Sequence, residues 1–568
     1  MNPRIRLLKP DDRQVRHLAE NLDCSTRLAR LLINRGLENP DAARAFLAPD
    51  LTDLPLNAKI KDMKRAVARI AQAITTGERI LIFGDYDVDG VTATVLLHRF
   101  LEQSGGHVDY YIPHRIDEGY GLAAEQVESV LKPSGCPLVI TADCGSGSQD
   151  AVAAARLAGI DVIVTDHHEI SQPPDAVAVI NPMRSDCPSG LRNLAGVGVA
   201  FFLILHLRKY LRRHHHYSGV REPNVKQLCD LVALGTVADM VPLTGANRIL
   251  TRTGLAQIGP DGQPGLAALA AACDLAAQPI DAQDIAFRLA PRINAAGRMG
   301  HAATAAELLL SSDRVTADRL AGELVHLNRH RQTTEGRLMA EIDSLLSGNP
   351  ELVSPHSLVL AGNGWHPGIL GIAAAKLVRR YCRPVVLIST DGSSAKGSAR
   401  SVAGFDMVSG LARCRSHLTG YGGHRMAAGL QLPHRNLDDF RQAFEAVVAS
   451  EADRHDFIPE ITADDHLALS DVTPTLMDEL ERLGPFGNGN PEPVFITETV
   501  RLVSNRPVGG IHQRLRLRSQ AMPEGPTMEA MRFSGALQQL DGTRTMEAAI
   551  RLRWNHWQGQ RRIQMILE

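Results

Sequence analysis

Short apolar runs alternate with helix-like segments from about residue 61 to residue 165 of this 568-residue chain. The sequence predicts strands over 79–83, 108–112, 138–141 and 162–165, and helices over 91–103, 123–131 and 149–158. Strands that alternate with helices in this way predict a parallel sheet covered by helices. In such a sheet the reactive crevice lies beyond the carboxyl ends of the strands.

Acidic and histidine side chains follow these predicted strands directly. Asp85 and Asp87 follow the first strand, Asp143 follows the third, and Asp166 and His167 follow the fourth. Carboxylates and imidazoles are suitable ligands for divalent cations such as Mg²⁺ and Mn²⁺. Like charges gathered at one edge cost energy unless a cation neutralises them. The pattern therefore predicts a metal site that supports hydrolysis, in which two ions clamp the attacking and leaving oxygens.

Composition sets further bounds. The net charge of −2 and the aromatic fraction of 4% give no overall indication of nucleic-acid binding, so any such surface must be local. The eight cysteines form no CxxC pair, which favours reduced thiols in a cytosol. The start lacks the apolar core of a signal peptide, and the longest apolar stretch, 195–205, is too short to span a bilayer. We expect a cytoplasmic protein with no membrane segment.

The second half of the chain changes its pattern twice. Residues 303–347 predict a long connecting helix, and a second strand–helix rhythm follows over 357–389. From about residue 459 apolar and polar residues alternate with period two, which predicts a small antiparallel barrel. Trp365 allows two interpretations, base stacking and ordinary packing.

Alternating arginines stand out within the predicted barrel. One strand places Arg514, Arg516 and Arg518 on a single face, and another does so with Arg551 and Arg553. A solvated sheet face is the common explanation for such runs. A groove that follows a single nucleic-acid strand is the interpretation we favour, with phosphate contacts that weaken strongly with salt.

The ordered motifs of the chain resemble those of RecJ-type single-strand-specific DNA exonucleases of the DHH phosphoesterase superfamily. They are GDYDVDG (84–90), PHRIDEGYGL (113–122), TADCG (141–145), VTDHH (164–168), LAGVGVAFFL (194–203), DLVALGTVADMVPL (230–243), PRINAAGRMG (291–300), WHPGILGI (365–372), KGSARS (396–401), GGHRMAAG (422–429) and GPFGNGNPEPVF (484–495). The resemblance implies an α/β fold in which a parallel-sheet DHH domain and a smaller DHHA1 domain are joined by a long helix, with an OB-fold barrel behind them. The expected boundaries are a helical extension over 1–60, DHH over 61–302, the helix over 303–347, DHHA1 over 348–455 and the barrel over 456–568.

The resemblance also implies roles for individual residues. The implied ligands for a pair of Mn²⁺ or Mg²⁺ ions are Asp85, Asp87, Asp143, His167 and Asp239, with Asp143 shared between the ions. His168 matches the catalytic position that contacts the scissile phosphate. Asp166 is expected to orient the two histidines, and Asp89 to support the loop rather than to bind metal.

Substrate contacts follow from the same resemblance. Arg115, Ser398 and Arg400 match a basic pocket for the terminal 5′-phosphate, and Arg298 matches a residue that reaches phosphates near the scissile bond. The implied signature of the DHHA1 module is Gly422, Gly423 and His424. Glycine lets a backbone approach a phosphate closely, and arginine offers a planar fork of donors to phosphate oxygens.

The implied activity is 5′-to-3′ degradation of single-stranded DNA to 5′-mononucleotides in recombination and repair. The implied partners are a single-strand-binding protein and a RecQ-type helicase, and the implied state is a monomer. One alternative is a DHH phosphodiesterase for oligoribonucleotides or cyclic dinucleotides, against which the predicted barrel argues. The other is an inactive DNA-binding scaffold, against which the complete set of five ligands argues.

Overall fold

A computed structural model describes residues 4–276, 278–452, 457, 460–509, 512–533, 545–557 and 560–568. Within these ranges no helix has both the length and the apolar character needed to cross a bilayer. The N-terminal segment, residues 4–47, begins with a strand, β1 Arg4–Leu7. Three helices follow, which we call the N-terminal helices: α1 Asp12–Leu22, α2 Thr26–Ile33 and α3 Pro40–Leu47.

The first lobe, residues 63–310, follows. Its elements are α4 Met63–Thr76, β2 Arg79–Gly84, α5 Val88–Gln103, β3 His107–Tyr111, α6 Ala124–Gln126, α7 Lys132–Ser134, β4 Leu138–Ala142, α8 Gln149–Leu157, β5 Asp161–Thr165, β6 Ala178–Ile180, α9 Gly196–Arg213, α10 Cys229–Ala238, α11 Gly245–Leu255, α12 Pro264–Ala272, α13 Ala282–Asp284, α14 Ala290–Met299 and α15 Ala303–Leu310.

The first lobe contains one five-stranded parallel sheet in the order β3-β2-β4-β5-β6. In β2 all residues but Arg79 are buried, and β4 is buried throughout, because helices cover both faces of a parallel sheet. The four predicted strands are confirmed, each within a residue or so of its expected bounds. Strand β6, three residues long, gave no recognisable sequence pattern.

A 35-residue helix, α16 Arg314–Gly348, leads out of the first lobe. It begins at Asp313, whose carboxylate accepts a hydrogen bond from the Thr316 backbone N–H at 2.9 Å. The segment expected to form one connecting helix thus holds two, because α15 ends at Leu310 before this cap. The second lobe, residues 358–452, comprises β7 Leu358–Asn363, α17 Pro367–Tyr381, β8 Val385–Asp391, β9 Ser394–Arg400, α18 Met407–Arg413, β10 Gly420–His424, β11 Ala427–Pro433 and α19 Leu437–Ala452.

The sheet of the second lobe has the order β10-β11-β9-β8-β7 and separates two layers of helices. On one face α17 and the end of α16 pack against β7 and β8, through side chains such as Leu360 and Leu387. On the other face α18 and α19 pack against residues such as Val386 and Leu430. Strand β10 forms one edge of the sheet.

The C-terminal sheet, residues 460–567, has eight strands in the order β13-β14-β19-β20-β17-β16-β15-β18. Its elements, with the neighbouring β12, are β12 Glu460–Ala463, β13 Asp465–Leu467, α20 Pro474–Leu483, β14 Phe495–Thr497, β15 Val500–Val508, β16 His512–Ser519, β17 Met528–Arg532, β18 Thr545–Met546, β19 Ala549–Trp557 and β20 Gln560–Leu567. Most pairs are antiparallel as predicted, but β13 with β14 and β17 with β20 are parallel.

The N-terminal helices share one hydrophobic core with the C-terminal sheet. Leu18 and Leu32 from the helices belong to the same buried cluster as Leu515 and Leu517 from β16. Strand β1 also pairs in parallel with β12. The buried Arg248 of α11 fastens this unit to the first lobe, where its guanidinium donates to the carbonyls of Phe46 (2.9 Å) and Leu483 (2.9 Å).

Candidate metal centre and substrate cleft

Three strand ends bring acidic and histidine side chains to one edge of the first sheet. Asp85 directly follows β2, Asp143 directly follows β4, and His167 lies two residues after β5. The carboxyl ends of parallel strands share an edge, so residues far apart in sequence meet there. Asp87 caps α5 at the same edge, where its carboxylate accepts the Gly90 N–H at 3.0 Å. Asp239 arrives from another direction, as the residue that ends α10.

The side-chain atoms approach one another closely. His167 Nε2 lies 3.2 Å from Asp143 Oδ1 and 3.6 Å from Asp239 Oδ2. Candidate ligand atoms of Asp85, Asp87 and Asp143 all lie within 4.8 Å of one another. The structure therefore brings together all five residues expected to bind metal, with Asp143 at the centre of the set.

Four of these residues leave a buried atom without a hydrogen-bond partner. The atoms are Asp85 Oδ1, Asp143 Oδ1, His167 Nε2 and Asp239 Oδ2. A buried carboxylate oxygen without a donor costs several kcal/mol, roughly the loss found when one partner of a buried ion pair is removed. Divalent cations bind such oxygen and imidazole nitrogen atoms directly. The residues present thus fit a metal centre.

The electrostatics of the cluster point the same way. Burial, reinforced by the neighbouring carboxylates, raises the pKa of Asp143 well above its ordinary value, and burial with the charges of Asp89 and Asp87 raises the pKa of Asp239 to about 9. Burial and the adjacent His168 lower the pKa of His167 to about 4. His167 is therefore neutral at physiological pH, the form in which an imidazole binds a metal.

His168 is protonated whereas His167 is neutral, because the Asp166 carboxylate stabilises the charged ring of His168. The fully buried Asp166 carboxylate accepts hydrogen bonds from the His168 ring Nδ1 at 2.7 Å and from the Ser146 N–H at 2.9 Å. Burial alone would lower the pKa of His168, but this bond and the charge of Asp166 raise it to about 9. The Tyr120 hydroxyl lies 3.0 Å from the same ring nitrogen. His168 is thus a protonated donor facing the cleft.

Asp89 lies within the cluster, with its Oδ2 3.8 Å from His167 Nε2, and it also contacts the backbone. Its carboxylate oxygens accept the backbone N–H groups of Gly196 at 2.6 Å and Val197 at 2.9 Å, at the start of α9. A carboxylate at a helix N-terminus is favoured by the unpaired N–H groups and the helix dipole. These contacts agree with the supporting position expected for Asp89.

The remaining candidate residues of the cleft come from both lobes. The His424 ring stacks on the His168 ring with centroids 5.7 Å apart. Arg298 donates from Nη1 to the Gly368 carbonyl at 2.8 Å, which ties α14 to the start of α17. Burial lowers the pKa of Arg298 to about 9, and the neighbouring positive charge that contributes most is that of Arg115. Several guanidinium groups crowded together favour binding of an anion.

Arg400 belongs to the same basic group, since the positive charge of Arg115 acts on it. Burial first, and then this charge, lower the pKa of Arg400. A Cβ on Gly371 of α17 would strike its guanidinium, so the glycine makes room for it. Ser398 lies two residues earlier on β9, and Gly422 pairs with Gly429 across the sheet.

Other residues of the cleft carry their own signals. Gly423 has a φ of 137°, in the region that favours glycine, and its Cβ would collide with the backbone at Ala427. Tyr120 was not among the predicted residues, although it lies within the quoted motif of residues 113–122. Asn181 was missed too, and it donates to the His168 carbonyl at 2.8 Å. Trp365 is a packing residue, 5% exposed, whose indole N–H bonds to Glu341 at 2.9 Å.

The alternating arginines of the C-terminal sheet are partly neutralised. Arg514 and Arg516 are exposed as the period predicts. On β19, Arg553 donates to Glu492 at 2.7 Å and Arg551 donates to Glu568 at 2.8 Å. The two β19 arginines are thus already paired with acids.

Comparison with known proteins places this fold in the DHH class of phosphoesterases. The family profiles that match are the DHH family N-terminal domain at residues 79–236, the DHHA1 domain at 355–450 and the RecJ OB domain at 463–568. The chain is 38% identical to the single-stranded-DNA-specific exonuclease RecJ of Dickeya dadantii over 95% of both chains. It is 34% identical to RecJ of Bacillus subtilis, over 100% of this chain and 70% of that protein. The chain belongs to the RecJ family of single-stranded-DNA-specific exonucleases.

A solved structure supports the same conclusion. The crystal structure of RecJ from Thermus thermophilus in complex with Mn²⁺ matches with a TM-score of 0.82 and 32% identity, over 99% of this chain and 78% of that one. The predicted α/β fold with DHH, DHHA1 and OB units is confirmed.

Proposed function

We propose that this protein degrades single-stranded DNA from its 5′ end and releases 5′-mononucleotides, with two Mn²⁺ or Mg²⁺ ions at the first sheet's edge. Family membership makes it an exonuclease for single-stranded DNA. The observation that supports the rest is the set of four buried ligand atoms without donors, in the same cleft as Arg115 and Arg298 of the first lobe and Arg400 of the second. Related structures are described with Mn²⁺ and with Mg²⁺.

Five residues would hold the ions: Asp85, Asp87, Asp143, His167 and Asp239. Asp143 contributes to two of the clusters around the edge, which suits a ligand shared between two ions. Bound there, a pair of cations supplies Lewis acidity and a lowered pKa for water near the scissile phosphate. The carboxylates in turn fix where that positive charge lies.

His168 acts on the phosphate itself in this proposal. Its pKa of about 9 keeps the ring protonated at neutral pH, so it donates a hydrogen bond to a non-bridging oxygen of the scissile phosphate. The hydrogen bond to Asp166 fixes the orientation of the ring and stabilises its positive charge. Such a fixed donor stabilises negative charge that develops in the transition state.

The direction of degradation follows from the basic pocket beside this centre. Arg115, Ser398 and Arg400 would bind the terminal 5′-phosphate, while Arg298 reaches the phosphates next to the scissile bond. Burial of Arg298 and Arg400 strengthens their attraction for an anion. A strand anchored by its 5′ end places its first internucleotide linkage near His168.

The wider assignment rests on the resemblance alone. We propose a role in recombination and repair in the cytoplasm, with a single-strand-binding protein and a RecQ-type helicase as partners and a monomeric state. The proposed units are the extension 1–60, DHH 61–302, the connecting helix 303–347, DHHA1 348–455 and the OB barrel 456–568.

One digestion experiment tests the proposal. Single strands of one sequence, labelled at either end, are incubated with and without Mn²⁺, and the products are resolved over time. We expect mononucleotides to appear at once from a 5′ label and only late from a 3′ label, and none to appear without metal. Asp143→Ala should abolish cleavage while it retains DNA binding. Early release from the 3′ label, or full activity of the variant, would overturn the assignment.

A further inference from the structure

One part of the second sheet's face is open to solvent. Helix α17 packs on β8 and on β9 near Arg400, but the same face of β10 and β11, together with the Lys396 end of β9, is exposed. On this face Gln431 of β11 pairs with Lys396 of β9 on one side and with Gly420 of β10 on the other. Gly429 of β11 pairs in the same way with Ser398 and Gly422. We call this surface the glycine ledge, and it consists of Lys396, Ser398, Gly420, Gly422, Gly429 and Gln431. A cavity of about 370 Å³ lies over it.

The floor of the glycine ledge is bare backbone. No atom lies within 4 Å of the position where a Cβ would stand on Gly420 or Gly422, and on Gly429 the nearest is the Gly397 carbonyl at 4.0 Å. Among the described residues of the ledge, Ser398, Lys396 and Gln431 carry polar side chains, and the last two, at its outer end, are exposed. A ligand can therefore approach the sheet closely while it meets one positive charge and one amide.

The ledge continues the proposed pocket for the 5′-phosphate. Lys396, Ser398 and Arg400 are alternate residues of β9, so their side chains project from the same face. Each two-residue step along an antiparallel strand is about 7 Å. Arg400 lies at the end nearest the carboxylate cluster, and Lys396 lies at the far end. A ligand longer than one phosphate would thus extend from Arg400 towards Lys396.

We propose that the glycine ledge binds the additional phosphates of a 5′-triphosphorylated strand end, an inference that rests on the proposed function. Such an end carries more negative charge than a monophosphate, and two further phosphates add a length close to one step between alternate residues. Lys396 supplies a compact charge suited to a terminal phosphate. The glycines leave space where side chains would exclude the extra groups.

The reaction at such an end is the ordinary hydrolysis with a different first product. Water attacks the phosphorus of the first internucleotide linkage, the bond from that phosphorus to the 3′ oxygen breaks, and the 3′ oxygen takes a proton. The products are a nucleoside 5′-triphosphate and a strand that begins with a 5′-monophosphate. Every later product is a 5′-mononucleotide.

The test compares oligodeoxynucleotides of one sequence that begin with a 5′-monophosphate or a 5′-triphosphate. We expect the wild-type protein to release the first nucleotide of the second substrate as a triphosphate, as identified by chromatography. Lys396→Ala should lower kcat/KM about tenfold for the triphosphorylated strand, the effect of one charge-assisted contact, and less than about twofold for the monophosphorylated strand. Lys209→Ala, which removes an exposed lysine on α9, should change neither value.

Two results would overturn the proposal while the proposed function stands. One is the absence of any released triphosphate although the monophosphorylated strand is degraded. The other is an equal loss on both substrates in Lys396→Ala with an unchanged melting temperature, since Lys396 would then contact the strand irrespective of its end. Failure of the wild-type protein to degrade the monophosphorylated strand would instead overturn the proposed function and this inference together.

Discussion

Charged side chains are treated in opposite ways at the edge of the first sheet and on β19 of the C-terminal sheet. At the first edge, Asp85 and Asp143 are buried and each leaves an oxygen without a donor. On β19, Arg551 and Arg553 lie nearer the surface, and each is paired with an acid. The first arrangement carries unbalanced charge of one sign, and the second is neutral by itself.

The difference shows where binding energy is available. Unbalanced buried charge destabilises the protein until ligands of opposite sign arrive, so the carboxylate edge should gain stability from cations. Paired surface charges contribute little, and a phosphate must compete with the acid already present. Among the arginines of the C-terminal sheet that form no ion pair within the described residues, Arg501, Arg506 and Arg516 are exposed and are therefore better placed to contact DNA.

Removing one buried carboxyl group tests this difference between the two regions most directly. Asp143→Asn should lower nuclease activity by about 10³-fold or more, the scale of losing a central electrostatic group. Without metal the variant should melt a few degrees above the wild-type protein, since folding no longer requires a buried carboxyl group to be protonated or to remain an unpaired charge. Activity assays and thermal unfolding in EDTA check both effects, with the exposed Asp150→Asn as the control. A variant less stable than wild type would show that the carboxylate is balanced by something else.

A change of pH tests the same imbalance without a mutation. The pKa values of Asp239 and His168 are raised to about 9 in the folded protein, whereas their ordinary values are 3.8 and 6.5. Between pH 7 and pH 9 the folded state therefore holds protons that the unfolded state has already lost, so stability falls as pH rises. We expect a loss on the order of 3 kcal/mol without metal, roughly 100-fold in the unfolding equilibrium.

Urea unfolding at pH 7, 8 and 9 measures this dependence, in EDTA and in excess Mg²⁺. The cation favours the deprotonated acids, so it should flatten the dependence on pH. An unfolding free energy that is independent of pH in EDTA would contradict the raised pKa values.

Local pattern and strand direction account for the part of the fold and site that the sequence predicted. The strands after which Asp85, Asp143 and His167 fall are apolar runs of four to six residues, and parallel strands necessarily bring their carboxyl ends together. The role of Asp239 followed from the resemblance, since Asp239 lies at the end of helix α10 and not after a strand of the sheet.

Contacts between distant segments account for what was not predicted. The N-terminal helices enter the core around Leu515 although some 480 residues separate them from that strand, and period alone identifies only which face is apolar. The pairing of Arg553 with Glu492 likewise depends on how two strands and a loop meet in space. The alternation predicted the exposed face of β16 correctly but could not show that the charges of Arg551 and Arg553 on β19 were already neutralised.

The second lobe offers a smaller test, in which space rather than charge is altered. In Gly371→Ala the new methyl group would meet the Arg400 guanidinium, which must then move. We expect the preference for 5′-phosphorylated over 5′-hydroxyl strands to fall about tenfold, the effect of one charge-assisted contact. Competition between the two strands measures it, with Gly336→Ala on α16, where a Cβ meets no atom, as the control. An unchanged preference would place the 5′-phosphate away from Arg400.

The smallest expected effect would come from releasing the paired arginines. Glu492→Gln removes the carboxylate that pairs with Arg551 and Arg553. DNA binding should therefore strengthen about two- to threefold at low salt. The slope of the logarithm of the binding constant against the logarithm of the salt concentration should steepen by the equivalent of up to about two phosphate contacts. Binding is measured in the Asp143→Asn background, so that the strand stays intact. Glu524→Gln, an exposed acid beside β17, is the matched control. If neither affinity nor slope changes, the strand does not pass over β19, and the face of β15 and β16 with Arg506 and Arg516 is the remaining site for phosphates within the described part of this sheet.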